Sequence, residues 1–176
     1  NAEYRRVVIS GRYLPDSDVL VKAVSDLGAG YWVMTPLTAD QGWTLLINRG
    51  FVPAGDSAPE TRPVPEGRIT VAGLLRLSQP GGGFLRDNDP QADRWYSRDT
   101  AAIAASRNLP EAAPYFIDAE AGPDPRARPV GGLTVVRFRN SHLVYALTWF
   151  ALAALWAAWL AVFRRRRAPT SPRSVA

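Results

Sequence analysis

Apolar residues run without a charge from position 143 to 163, in the string LVYALTWFALAALWAAWLAVF. The stretch holds no Asp, Glu, Lys, Arg, Gly or Pro. At about 1.5 Å of rise per residue it makes a helix roughly 31 Å long, enough to cross a hydrocarbon core of about 30 Å. Upstream the pattern changes to short apolar runs rich in β-branched and aromatic residues, set between Gly/Pro-rich turns. This is the mark of strands. Residues 5–13 (RRVVISGRY) predict a strand with Gly11 as a bulge. Residues 19–24 predict a strand or a turn of helix, and residues 31–37 a strand that Pro36 places at an edge or a strand end. Residues 43–51 (WTLLINRGF) predict the best strand of the set, joined to the preceding one as a hairpin with its loop near residues 38–42.

The segment 53–67 carries four prolines and reads as a surface connection. Residues 68–77 alternate enough for a strand, and 78–93, with Pro-Gly-Gly-Gly and Asp-Asn-Asp-Pro, form a mobile loop. Asp99 is the expected N-cap of a short Ala-rich helix over 100–107, stopped by Pro110. Residues 115–119 and 133–138 predict two last strands, and Asn140 or Ser141 caps the apolar helix. Five to seven strands against one or two short helices define an α+β fold, with an antiparallel, β-rich, barrel-like domain. The expected organisation is a β-rich domain over 1–141, a transmembrane helix over 142–163 and a basic tail over 164–176.

Charge orients this arrangement. The formal net charge of +5 comes entirely from Arg164–Arg167 and Arg173, because the sixteen acidic and remaining sixteen basic residues before Leu143 cancel. Clustered arginine beside a span stays cytoplasmic. The tail is therefore expected in the cytoplasm and the β-rich domain on the extracytoplasmic, periplasmic side, delivered there by a membrane helix upstream of Asn1. One lysine against twenty arginines, with abundant Ala and Pro, is a codon-composition pattern of GC-rich bacterial genomes, so the membrane is expected to be a bacterial plasma membrane. No basic face interleaved with aromatics is evident, which argues against nucleic-acid binding.

The chain has no cysteine and one histidine, which excludes disulfides, thiolate metal sites and multi-histidine metal sites within it. The carboxylates Asp56, Glu60, Glu66, Asp87, Asp89 and Asp93 are scattered through loops without pairing. Gly81-Gly82-Gly83 lacks the Lys-Ser/Thr of a phosphate loop and reads as a turn. His142 stands at the head of the apolar helix, and at 100° per residue its face continues through Tyr145, Ala146, Trp149, Ala153, Trp156 and Leu160. An imidazole above flat aromatics suits an iron porphyrin; His and Trp at headgroup depth are equally ordinary anchors. The opposite face offers Ala154, Ala157, Ala158 and Ala161, small residues that permit close helix approach.

Several stretches carry a resemblance. They are Glu3-Tyr4-Arg5-Arg6-Val7, Gly11-Arg12-Tyr13, Thr35-Pro36-Leu37, the run LINRGFVP (46–53), VAGLLR (71–76), Trp95 with Asp99, and VRFRNSHLVYALTWF (136–150). In order, and over nearly the whole chain, these resemble the Surfeit locus protein 1 family. One departure is Phe51, where the family usually has Trp.

The resemblance implies a non-catalytic, chaperone-like assembly factor of haem-copper cytochrome c oxidases in the respiratory chain. Such a factor binds haem a and assists its insertion into subunit I. It implies two membrane helices around an extracytoplasmic β-rich domain. Its partners would be oxidase subunits, subunit I first, with haem a synthase a further one. The family's haem-linked histidine matches His142, which would be the iron ligand. From the helical spacing and not from the resemblance, the ring would lie against Tyr145 and Trp149; Arg137 and Arg139, just above, would pair with the propionates, the alternative being ordinary surface arginines. The alternative is a stable accessory or scaffold subunit of the oxidase or of a respiratory supercomplex that carries no haem. A third reading, an extracytoplasmic ligand-binding module, is suggested by the long Gly/Pro loops.

Overall fold

A computed structural model describes residues 3–83, 86–109, 111–134 and 142–167, the side chains of 142, 144 and 165–167 excepted. It divides into two units, 1–136 and 137–176. The first unit holds six strands and one short helix: β1 (Arg6–Tyr13), β2 (Val19–Ser25), β3 (Gly28–Ala39), β4 (Thr44–Pro53), β5 (Ile69–Leu77), α1 (Thr100–Ser106) and β6 (Ala112–Ala119). Two 3-10 turns, Ala54–Asp56 and Pro59–Thr61, lie in the proline-rich connection. The described residues of the second unit form one helix, α2 (His142–Arg167).

The sheet order is β1-β5-β6-β4-β3-β2, and β1 also pairs with β3. Strands β1, β5, β6, β4 and β3 therefore close into a five-stranded barrel, and β2 extends β3 outside the ring. Closure occurs where Gly11, Arg12 and Tyr13 meet Ala39, Thr38 and Leu37. Gly11 is not a bulge, because it stays in register with both Ile69 and Ala39. A Cβ there would lie 2.2 Å from the Thr38 carbonyl oxygen, so the residue is glycine to let two backbones touch. Pro36 does not end its strand either. It sits at the seam where β2, paired as far as Met34, gives way to β1, paired from Leu37, while its carbonyl still accepts from the Leu14 N–H.

The expectation of an antiparallel domain needs correction, since β4 and β6 run parallel and the barrel is mixed. The crossover between them carries β5 and α1, which brings β6 in between β4 and β5. Residues 133–134 are not strand, and the rest of the last expected strand lies outside the described residues, as do both candidate caps of α2. The 38–42 hairpin turn, the strand reading of 19–24 and the Asp99 cap hold: the Asp99 carboxylate accepts from the Ala102 N–H.

Strand β4 is buried on both faces, and its alternation divides the core in two. Leu45 and Ile47 join Leu37, Val71 and Ile117, with Val7, Ile9 and Tyr13 at the margin, to fill the barrel. Leu46 faces the other way, with Met34, Phe116, Val19 and Val21, into a second cluster covered by Ile103 of α1 and by Trp95. A bulge at Met34/Val33, opposite Asn48–Gly50, resets this alternation, and Gly50 adopts φ +132° there. Beyond the bulge β4 has lost β6, and Val130 of the returning 120–134 segment takes over, exchanging both backbone hydrogen bonds with Phe51.

Candidate functional site

The alternation that seats Leu46 and Phe116 under α1 places Asn48 and Asp118, two residues further on, on the same face. They are register partners across the parallel β4–β6 pair. Asp118 is almost sealed, its side chain 2% exposed. Its carboxylate accepts four hydrogen bonds: Asn48 Nδ2 at 2.7 Å, Arg76 Nη1 at 2.8 Å, Arg98 Nη1 at 3.1 Å and Thr134 Oγ1 at 2.8 Å. A buried carboxylate is tolerable only when its lone pairs are filled in this way.

The two guanidinium groups reach outward from it. Arg76 also donates to Glu3 Oε1 at 3.3 Å and lies 4.6 Å over the ring of Tyr4. Arg98 donates to Gln79 Oε1 at 3.0 Å and sits over Phe116 and Trp32, at 4.9 and 5.8 Å. Burial pulls the Arg98 guanidinium below its ordinary value, against the support of Asp118. This one carboxylate thus ties together the start of the domain, at Glu3 and Tyr4, and its exit, at Thr134, eight residues before His142.

A second buried carboxylate, Asp18, lies just before β2. It accepts Thr35 Oγ1 at 2.5 Å, pairs with Arg62, and has Arg49 at 3.8 Å. Arg49 spends two N–H groups on the carbonyls of Arg62 and Pro63 and packs 5.5 Å over the Tyr13 ring. Burial lowers the Arg49 guanidinium and pushes the Tyr13 phenol up to about 12. Arg107 caps the same corner by donating to the Asp18 carbonyl at 3.0 Å and to both oxygens of Asp93 at 2.9 Å. Asp93 in turn accepts the indole N–H of the fully buried Trp95 at 2.7 Å.

Most stretches that carried the resemblance end in these two clusters. Glu3, Tyr4, Asn48 and Arg76 belong to the Asp118 cluster, and Tyr13, Thr35 and Arg49 to the Asp18 cluster. Gly73 follows the same logic: a Cβ there would stand 2.2 Å from the Asp118 carbonyl oxygen. The two carboxylates at the centres were not singled out by sequence, and neither were Arg62 and Arg98. Asp118 had a readable signal, an acid in the apolar run Tyr115-Phe116-Ile117. Asp18 had none, since it stands in an ordinary-looking turn.

The haem-ligand candidates divide. Arg137 and Arg139 lie outside the described residues. His142 is the first residue of α2. Tyr145 and Trp149 follow at one-turn spacing and are 65% and 70% exposed. Trp156 is exposed to the same degree, and further along Trp159 stacks on Phe163 at 5.2 Å. The residues from Tyr145 to Arg164 are long and apolar enough to cross a membrane.

Fold and clusters together define a class: a small mixed β-barrel pinned by two buried carboxylate–guanidinium clusters, in a chain that continues into one membrane-length helix. The SURF1 family model matches residues 1–154, which take in the whole barrel and the first half of α2. A SURF1-like protein of Monosiga brevicollis is 35% identical over 93% of this chain and 67% of its own length. Surfeit locus protein 1 of Mus musculus is 35% identical over 94% of this chain and 60% of its own length. That of Homo sapiens is 39% identical over 74% and 43%. The chain belongs to the SURF1 family, and it spans between 43% and 67% of the length of these three relatives.

Proposed function

We propose that this protein is a membrane-anchored, non-catalytic assembly factor of a haem-copper cytochrome c oxidase, and that it receives haem a for insertion into subunit I. The observation that carries the reading is the family match, which runs through the barrel and past His142 to residue 154. Helix α2 crosses the bacterial plasma membrane with Arg164–Arg167 on the cytoplasmic side and the barrel outside. Oxidase subunits, subunit I above all, are the partners, and haem a synthase is the donor.

The residues on one face of α2 suit a flat apolar ligand. His142 heads a face whose next members, Tyr145 and Trp149, leave their rings free. Iron porphyrin accepts a neutral imidazole nitrogen as axial ligand. His142 supplies that nitrogen, Tyr145 and Trp149 offer ring faces, and Arg137 and Arg139 pair with the two propionates. A single protein ligand suits a carrier, because a second strong one slows release. The test is purification from cells that make haem a, comparing His142→Ala with the wild type by absorption spectrum. Loss of the haem band in the variant is expected; unchanged occupancy removes the ligand role.

A second reading, a stable accessory subunit without haem, is favoured by one observation. Most of the family-marking stretches of the barrel contribute a side chain to its own internal clusters. Haem-free protein that co-purifies stoichiometrically with mature oxidase supports that reading over the first.

A further inference from the structure

The Asp18 cluster does not balance its charge. Two buried guanidinium groups, Arg49 and Arg62, share one carboxylate, and Arg62 and Thr35 hold it at close range while Arg49 stays at 3.8 Å. The side chain of Arg49 is 7% exposed, so its charge is poorly hydrated. Among the described residues no hydrogen-bond partner faces its Nε–H or the Tyr13 hydroxyl.

Both residues line a cleft of about 220 Å³. It lies at the end of the barrel's apolar filling, which Tyr13 terminates. The far wall is the 119–131 segment, held in place by the Phe51–Val130 backbone pair and by the Gly132 N–H on the Ala119 carbonyl. That wall brings in Arg128, exposed and without an ion-pair partner among the described residues. Two acids also line the cleft. Glu120 is held by Arg6 through both oxygens, at 2.6 and 2.9 Å, and Asp124 accepts the Arg126 N–H at 2.8 Å.

We propose that this cleft is a binding site for a carboxylate group, received between Arg49, Arg128 and the Tyr13 hydroxyl. The mouth of a small barrel is a common place for such a site. A planar guanidinium matches a carboxylate in shape as well as charge, and the Tyr13 hydroxyl adds a donor. Binding supplies the anion that the Arg49–Arg62–Asp18 cluster lacks. The volume takes a small free acid or the carboxylate end of a peptide. This site is independent of the haem reading and of α2.

The test is calorimetric titration of the purified full chain in detergent, at fixed ionic strength set with chloride. The probes are acetate, the tripeptide Ala-Ala-Ala and its C-terminal amide. Saturable binding of acetate is expected. Arg128→Ala, at an exposed position, should weaken it by about tenfold, the usual effect of losing one charge-assisted hydrogen bond. Tyr13→Phe should weaken it by about fivefold, the loss of one neutral donor. Tighter binding of the tripeptide than of acetate or of the amide assigns the site to a peptide terminus; tighter binding of acetate assigns it to a free acid. Absence of saturable binding by either acid, or equal affinity in wild type, Arg128→Ala and Tyr13→Phe, overturns the proposal.

Discussion

Asp118 accepts hydrogen bonds from four side chains, Asn48, Arg76, Arg98 and Thr134. Among the described residues it is the only anion in contact with Arg98 and the closer of the two that hold Arg76. Asp118→Ala leaves two buried guanidinium groups short of their counter-charge, which costs about 3–5 kcal/mol. The measurement is urea denaturation of the purified protein, followed by tryptophan fluorescence. Asp118→Asn keeps the shape and is expected to lose less. Tyr13 makes a pH-dependent contribution. Burial pushes its phenol up to about 12, with Asp18 adding and Arg49 opposing. An unfolded tyrosine releases its proton near pH 10. The stabilisation is therefore complete below pH 10 and is lost as pH rises from about 10 to 12. Stability measured across that window should fall in the wild type and fall less in Tyr13→Phe.

At the scale of elements, the closure of β1 on β3 is the critical joint. It rests on three residue pairs and on the absence of a side chain at Gly11. Gly11→Ala forces a methyl into the Thr38 carbonyl and is expected to cost at least about 1–3 kcal/mol. Gly28→Ala serves as a comparison: a Cβ there meets no atom within 4 Å, and only its φ of +96° opposes the substitution. The check is the difference in thermal midpoint between the two variants. A larger loss for Gly28→Ala would show that the β1–β3 seam does not limit stability. The parallel β4–β6 pair is the other joint, because it sets Asn48 against Asp118 and so builds the polar cluster from two sequence-distant strands.

At the scale of the whole molecule, the two units present different surfaces. The barrel unit buries most of its large apolar residues, with Val8 and Val24 among the exceptions, while α2 exposes Leu143, Trp149, Phe150, Leu155 and Trp156, each by more than 60%. An apolar surface of that extent has no stable place in water. The orientation proposed above from Arg164–Arg167 can be read out simply, since the chain has no cysteine. In intact cells an impermeant maleimide should label Ala58→Cys, in the barrel's proline-rich connection, and not Ser174→Cys in the basic tail. The reverse pattern would invert the topology.

Local pattern and tertiary structure determined different parts of this protein. The apolar run, the strand periods, the 38–42 turn and the Asp99 cap all rest on interactions within a few residues, and each was legible from the chain. So was the family, because its motifs are contiguous strings such as Leu46–Pro53. The parallel pairing of β6 was not legible, since strand direction depends on how a long connection returns. Pro36 and Gly11 misled for a related reason: their meaning lies in which neighbour each touches, and the neighbours are distant in sequence. The same holds for Asp118 and Asp18. An acid in a strand or a turn becomes the centre of a cluster only when folding brings two arginines from other segments to it. The cleft beside Tyr13 and Arg49 exists only because the 119–131 segment folds back across the end of the barrel.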